Sequence, residues 1–115
     1  MNADRIEVLR KIAAQEPDDL VANYGLGRAL LADGRGEEAL TPLRRAIAID
    51  ANHSAAWRDL GLALLEAGKP GESLAVFQRG IDVARKRGDL QTVREMEVFA
   101  KRADRAMKKK DGVSA

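Results

Sequence analysis

Residues 54–87 read SAAWRDLGLALLEAGKPGESLAVFQRGIDVARKR, and the 34 residues before them, 20–53, read LVANYGLGRALLADGRGEEALTPLRRAIAIDANH. Laid one on the other, they match Ala22 with Ala56, Leu26 with Leu60, Gly27 with Gly61, Ala29 with Ala63, Leu30 with Leu64 and Leu31 with Leu65. The register holds through Gly34 and Gly68, Glu38 and Glu72, Leu40 and Leu74, Arg45 and Arg79, and Ile47 and Ile81. Self-similarity at a fixed period of this size marks a chain of stacked supersecondary units, each too small to bury its apolar face alone.

Within each unit, apolar residues at spacings of three and four flank a turn, Gly34-Arg35-Gly36 or Gly68-Lys69-Pro70-Gly71, which predicts a helix hairpin. The glycines suit a left-handed residue just past a helix end, and Pro70 suits a first turn, where its missing N–H costs nothing. Helices are expected at 19–33, 37–50, 54–67 and 71–86, with Asp18 or Asp19 and Ser54 as N-caps. Pro42 lies beyond the first turn of its helix and is expected to bend it or delay its start.

Outside the two units, residues 3–15 read as the second helix of a preceding hairpin, with Leu9 standing 34 before Leu43 and Pro17 ending the helix. After Gly88 and Asp89 a last helix runs to about Lys109, with Val93, Met96, Ala100, Ala103 and Met107 on one face. The expectation is an all-α chain of about five helices in one domain, 1–110. It divides into a half unit (3–16), two full units (19–51 and 54–87) and a capping helix (89–109), with 111–115 as a flexible tail.

Composition narrows the function classes. With 45% hydrophobic and 33% charged residues the chain is neither a disordered tail nor a membrane protein, and its longest aliphatic run, Leu62 to Leu65, cannot cross a bilayer. Asp4 and Glu7 stand where an export signal places bases, so a cytoplasmic location is expected. The absence of cysteine excludes disulfides and thiolate metal sites. With His53, a loop residue, as the single histidine, no nucleophile and base converge, so neither catalysis, cofactor nor metal is expected. Charge is uneven: residues 1–84 hold 10 Lys/Arg against 13 Asp/Glu, residues 85–110 hold 10 against 4, and the basic end points to an acidic partner.

In Trp57, Leu60-Gly61, Leu64, Ser73, Phe77 and Gly80, and in Asn23, Leu26-Gly27, Leu30, Ala39, Leu43, Ala46 and Ala51, the chain resembles the tetratricopeptide repeat family. By that resemblance the small residues let helices approach, Trp57 is buried filler, and stacked hairpins curve so that their first helices line a concave groove. Residues implied to face it are Val21, Tyr24, Arg28, Leu31 and Ala32, then Ala55, Arg58, Leu62, Leu65 and Glu66. A two-residue insertion near Arg87-Gly88 adds Gln91, Arg94, Val98, Lys101 and Arg102. The expected ligand is an acidic, partly apolar segment of another protein. Arg28, Arg58, Arg94 and Arg102 would serve as anion contacts, Tyr24, Leu31, Leu62, Leu65 and Val98 as apolar ones, with Lys101 beside them. The family's carboxylate clamp for chaperone tails is not implied, because its positions here hold Tyr24, Arg28, Asp59, Gln91 and Glu95.

Two alternatives remain. Ile6, Val8, Leu9 and Ile12 form a terminal face that a second copy could cover, giving a self-associating subunit or weak homodimer in place of a monomer. Arg85-Lys86-Arg87, Lys101-Arg102, Arg105 and Lys108-Lys109-Lys110 could hold nucleic acid, although Phe99 alone is interleaved as a stacking ring.

Overall fold

The computed structural model describes residues 2–112. Among them are six helices and no strand: α1 (Asn2–Gln15), α2 (Leu20–Ala32), α3 (Gly36–Ile49), α4 (Ser54–Glu66), α5 (Pro70–Arg87) and α6 (Leu90–Lys110). The expected five becomes six because the half unit and the terminal helix each add one to the four helices of two hairpins. Every helix packs on its chain neighbours, while α2, α4 and α6 also touch in succession and so form one layer. The stack measures 46 × 31 × 21 Å.

Each first helix begins at a side chain that accepts a free backbone N–H. Asp19 accepts from Ala22 N at 3.0 Å, His53 Nδ1 from Ala56 N at 3.1 Å, and Asp89 from Thr92 N at 3.3 Å. These caps stand 34 and then 36 residues apart, which is the inserted pair in the second unit; with a connection shorter by two residues, it lengthens α5 to 18 residues against 14 in α3. The cap of α4 is therefore His53 and not Ser54. Ser54 starts the helix itself, and its hydroxyl donates to Asp89 Oδ2 at 2.7 Å, tying α4 to α6. That hydrogen bond, ahead of the one from Thr92, holds the Asp89 carboxyl below its ordinary pKa.

Gly34, Gly68 and Gly88 take the left-handed conformation at φ +74°, +78° and +73°. The residue after each glycine donates back across the turn: Arg35 N to Leu30 O, Lys69 N to Leu64 O and Asp89 N to Ala84 O, at 2.8–2.9 Å. Pro42 sits inside a continuous α3, buried, so the start of that helix is not delayed. Asp111 closes α6, and residues 113–115 of the expected tail lie outside the described residues.

Helix contact is set by small residues. A Cβ at Gly27 would lie 2.5 Å from Leu43 Cγ, and one at Gly61 would lie 2.5 Å from Phe77 Cδ1, so Leu43 and Phe77 rest directly on backbone. Ser73 Oγ donates to the carbonyl of Gly61 at 2.7 Å, closing the same contact. Trp57 is buried as expected, and its indole N–H donates to Ala51 O at 2.8 Å. Asn23, which holds the same place one unit earlier, donates to Pro17 O at 2.9 Å, so the amide repeats the indole's bond to the carbonyl six residues back. Gly25 differs from Gly27, Gly36, Gly61 and Gly80: a Cβ there would meet only Leu9 side-chain carbons, at 3.5 Å or more. Gly25→Ala is expected to stabilise the chain by up to about 1 kcal/mol in urea denaturation, because helix propensity improves and nothing is crowded.

Candidate partner-binding surface

The layer of α2, α4 and α6 carries a continuous polar ladder. Arg28 Nη1 donates to the Tyr24 hydroxyl (3.2 Å), and that hydroxyl donates to Asp59 Oδ2 (2.8 Å). Arg58 Nε donates to Asp59 Oδ1 (3.0 Å), and Arg58 Nη1 reaches Glu95 Oε1 on α6 (3.1 Å). Asp59 is 5% exposed, and the Arg58 side chain is 16% exposed. Burial alone would lower the Arg58 pKa, but the hydrogen bonds and charges of Asp59 and then Glu95 reverse this and hold it above the ordinary arginine value. The positions at which the family's clamp would sit, Tyr24, Arg28, Asp59 and Glu95, are thus joined to one another.

Beside the ladder, Leu31, Leu62, Leu65, Glu66 and Arg102 line an open pocket of about 340 Å³ between the three first helices. All five belong to the residues expected to face the groove, and four of them, Leu31, Leu62, Leu65 and Arg102, are expected ligand contacts. Glu66 adds an acid at the edge, although its Oε1 accepts from Gly36 N at 3.2 Å and so caps α3. Arg94, Val98 and Arg102 follow at four-residue spacing along α6, all exposed, which puts them on one stripe. The Arg102 guanidinium lies 5.7 Å over the Phe99 ring, and among the described residues neither Arg94 nor Arg102 has an acidic partner.

Other expected residues are placed differently. Arg58 has its guanidinium engaged within the fold, so it organises the surface instead of offering a free cation. Lys101 lines a separate hollow between α5 and α6, together with Leu74 and Arg105. Tyr24, Leu62 and Leu65 are half-buried, and the Tyr24 ring packs 4.5 Å from the His53 ring. The bonds of Asp59 and Glu95 and the capping role of His53 escaped sequence reasoning. The one available signal was the pairing of acids at 59 and 95 with Arg58, which the 36-residue offset aligns.

Tyr24, the single tyrosine, reports on the ladder. Burial, followed by the charge of Asp59, raises its phenol pKa, whereas the Arg28 hydrogen bond lowers it. Titration of tyrosinate absorbance in the folded chain is expected to have its midpoint above 10, and Arg28→Gln should move it higher still. A raised folded pKa contributes stability below pH 10 that is lost as pH climbs through the folded value, so the ladder weakens in alkali. A midpoint unmoved by Arg28→Gln would contradict the bond.

Three comparisons bear on this geometry. A family model described as tetratricopeptide repeat matches residues 1–80, stopping just before the inserted pair. TPR repeat-containing protein PA0015 of Pseudomonas aeruginosa is 36% identical over 101 residues, covering 88% of this chain and 96% of that one. The solution structure of protein BPP2914 from Bordetella parapertussis superposes with a TM-score of 0.75 at 31% identity, over 90% of each chain. A MamA double mutant (RS-1 ArsTM) gives 0.68 at 19% identity, over 92% of this chain and 67% of that one, which speaks to fold alone.

Proposed function

The chain belongs to the tetratricopeptide repeat family, and from that premise we propose that its concave layer binds an acidic, partly apolar segment of another protein. The family brings the coarser statements with it: hairpins in a right-handed superhelix, and a non-catalytic protein–protein interaction module. Among the described residues no helix is long and apolar enough to cross a membrane.

The observation that carries the finer reading is the pocket of Leu31, Leu62, Leu65, Glu66 and Arg102, with the unpaired Arg94 eight residues before Arg102 on the same exposed stripe of α6. An apolar side chain of the ligand fills the pocket while its carboxylates meet the guanidinium groups of Arg94 and Arg102, with Arg28 at the far end of the ladder. Val98 and Tyr24 supply apolar contact between them. An arginine fork paired with a carboxylate is strong because both partners are charged and the geometry is bidentate. Arg58 contributes by holding α4 to α6, which sets the distance between the walls.

Selection from a displayed random-peptide library tests this. Enriched sequences should place Asp or Glu within a few residues of Leu, Ile or Phe. Arg94→Glu with Arg102→Glu should weaken them at least ~10-fold, about the loss of one charge-assisted bond. Enrichment of basic or purely polar peptides, or undiminished binding by the double variant, would remove the proposal.

A further inference from the structure

The repeat provides three copies of one groove, and two are filled from within the chain. In the first, between α1 and α2, the occupant is α3, whose Glu38 pairs with Arg10 on α1 at 2.8 Å. In the second, between α3 and α4, the occupant is α5, whose Glu72 pairs with Arg44 on α3 at 3.5 Å. Both pairs join residues 28 apart, and the second is the first moved on by 34. Glu38 lies in the first turn of its helix, and so does Glu72.

The third copy, between α5 and α6, is an open hollow of about 480 Å³ lined by Leu74, Gln78, Ala100, Lys101, Asp104 and Arg105. Leu74 stands where Leu40 is 3% exposed beneath the next unit, yet Leu74 itself is only half-buried. Gln78 stands where Arg44 stood, and Lys101 and Arg105 make the rim basic. By internal precedent the shape and charge call for an amphipathic helix with an acidic first turn, antiparallel to α6.

One feature of α6 selects among such helices. In both filled grooves the residue five after the paired acid, Leu43 or Phe77, lies on a glycine, Gly27 or Gly61, where a Cβ has no room. Moved on by the 36-residue offset, that glycine position is Glu97, which is exposed and pairs with Arg85 at 3.8 Å. A large apolar residue five after the acid would therefore collide with Glu97, while a small or basic one would fit or pair. The chain's own α1 carries Leu9 at that register, so a second copy is the wrong occupant. We infer that the α5–α6 groove docks a helix of another protein, acidic in its first turn and small or basic five residues later, at a site separate from the concave layer.

The probe is a lactam-stapled, fluorescein-labelled peptide with the α5 sequence, Pro70–Arg87, made either as it stands or with Phe77→Lys, and titrated by anisotropy against the whole chain. The Phe77→Lys peptide is expected to bind at least ~10-fold tighter than the native one. In the chain, Gln78→Glu with Arg105→Glu should weaken it at least ~10-fold, Arg94→Glu with Arg102→Glu should leave it unchanged, and Glu97→Gly should invert the preference. Circular dichroism confirms that each variant is folded. Equal or tighter binding of the native peptide would overturn the inference in favour of a further repeat or a second copy. Insensitivity to Gln78→Glu with Arg105→Glu would overturn it too, as would no binding by either peptide at ~1 mM.

Discussion

Phe77→Ala is expected to remove about 3–5 kcal/mol from the free energy of unfolding, the range for deleting a fully buried aromatic ring. Phe77 is 0% exposed and lies among Trp57, Ala84, Val93, Met96 and Ala103, with the Phe99 ring centroid 6.0 Å away. Its loss leaves Gly61 facing a void, because glycine has no side chain to collapse into it. Domains of this size have about 5–15 kcal/mol in total, so the loss takes a large share of it. The damage is local: the other core cluster, built from α1, α2, α3 and part of α4, contains neither Phe77 nor Trp57. In a stack held by nearest-neighbour contacts, the α5–α6 end should therefore open first. Urea denaturation followed by fluorescence of Trp57, the single tryptophan, should show an earlier midpoint than far-UV circular dichroism. Coincident transitions shifted by less than about 1 kcal/mol would show that the ring is not the keystone of that end.

The helical architecture was legible because period, turn glycines and apolar spacing all point one way. At shift 34 the pattern locates the hairpins and the small–large contacts, and even the inserted pair emerges from the order of Val93 and Met96. What the pattern could not carry is which neighbour a polar side chain meets. Arg58 has the right helical phase to face the groove, and it does so, but Asp59 beside it and Glu95 37 residues on take up its guanidinium. Phase assigns a face and says nothing about partners across it. Lys101 shows the second gap. It stands where Leu65 and Leu31 line the concave pocket one and two units earlier, yet it lines the hollow between α5 and α6, which no helix among the described residues covers. His53 shows the third: moving the helix start by one residue makes a loop histidine into a cap and a capping serine into a cross-helix donor.

Gly61→Ala should cost about 1–3 kcal/mol by overpacking, less up to about 1 kcal/mol regained in helix propensity, and its sign should depend on residue 77. The added methyl would sit 2.5 Å from Phe77 Cδ1 and 2.6 Å from Cζ, against the body of a ring with no exposed surface into which to retreat. With alanine at 77 the obstacle is gone, and the same methyl fills part of the void while improving propensity. In the Phe77→Ala background, Gly61→Ala is therefore expected to stabilise the chain by up to about 1 kcal/mol, giving a coupling energy above about 1 kcal/mol between the two sites. Gly25→Ala, whose Cβ meets only flexible carbons of Leu9, should show no coupling to residue 77. Urea denaturation of the four members of the cycle measures this directly. Additivity between residues 61 and 77 would mean that α4 and α5 separate readily enough to admit a methyl group. Glycine at this position would then matter for its backbone alone, and Glu97 would not restrict what can pack on α6.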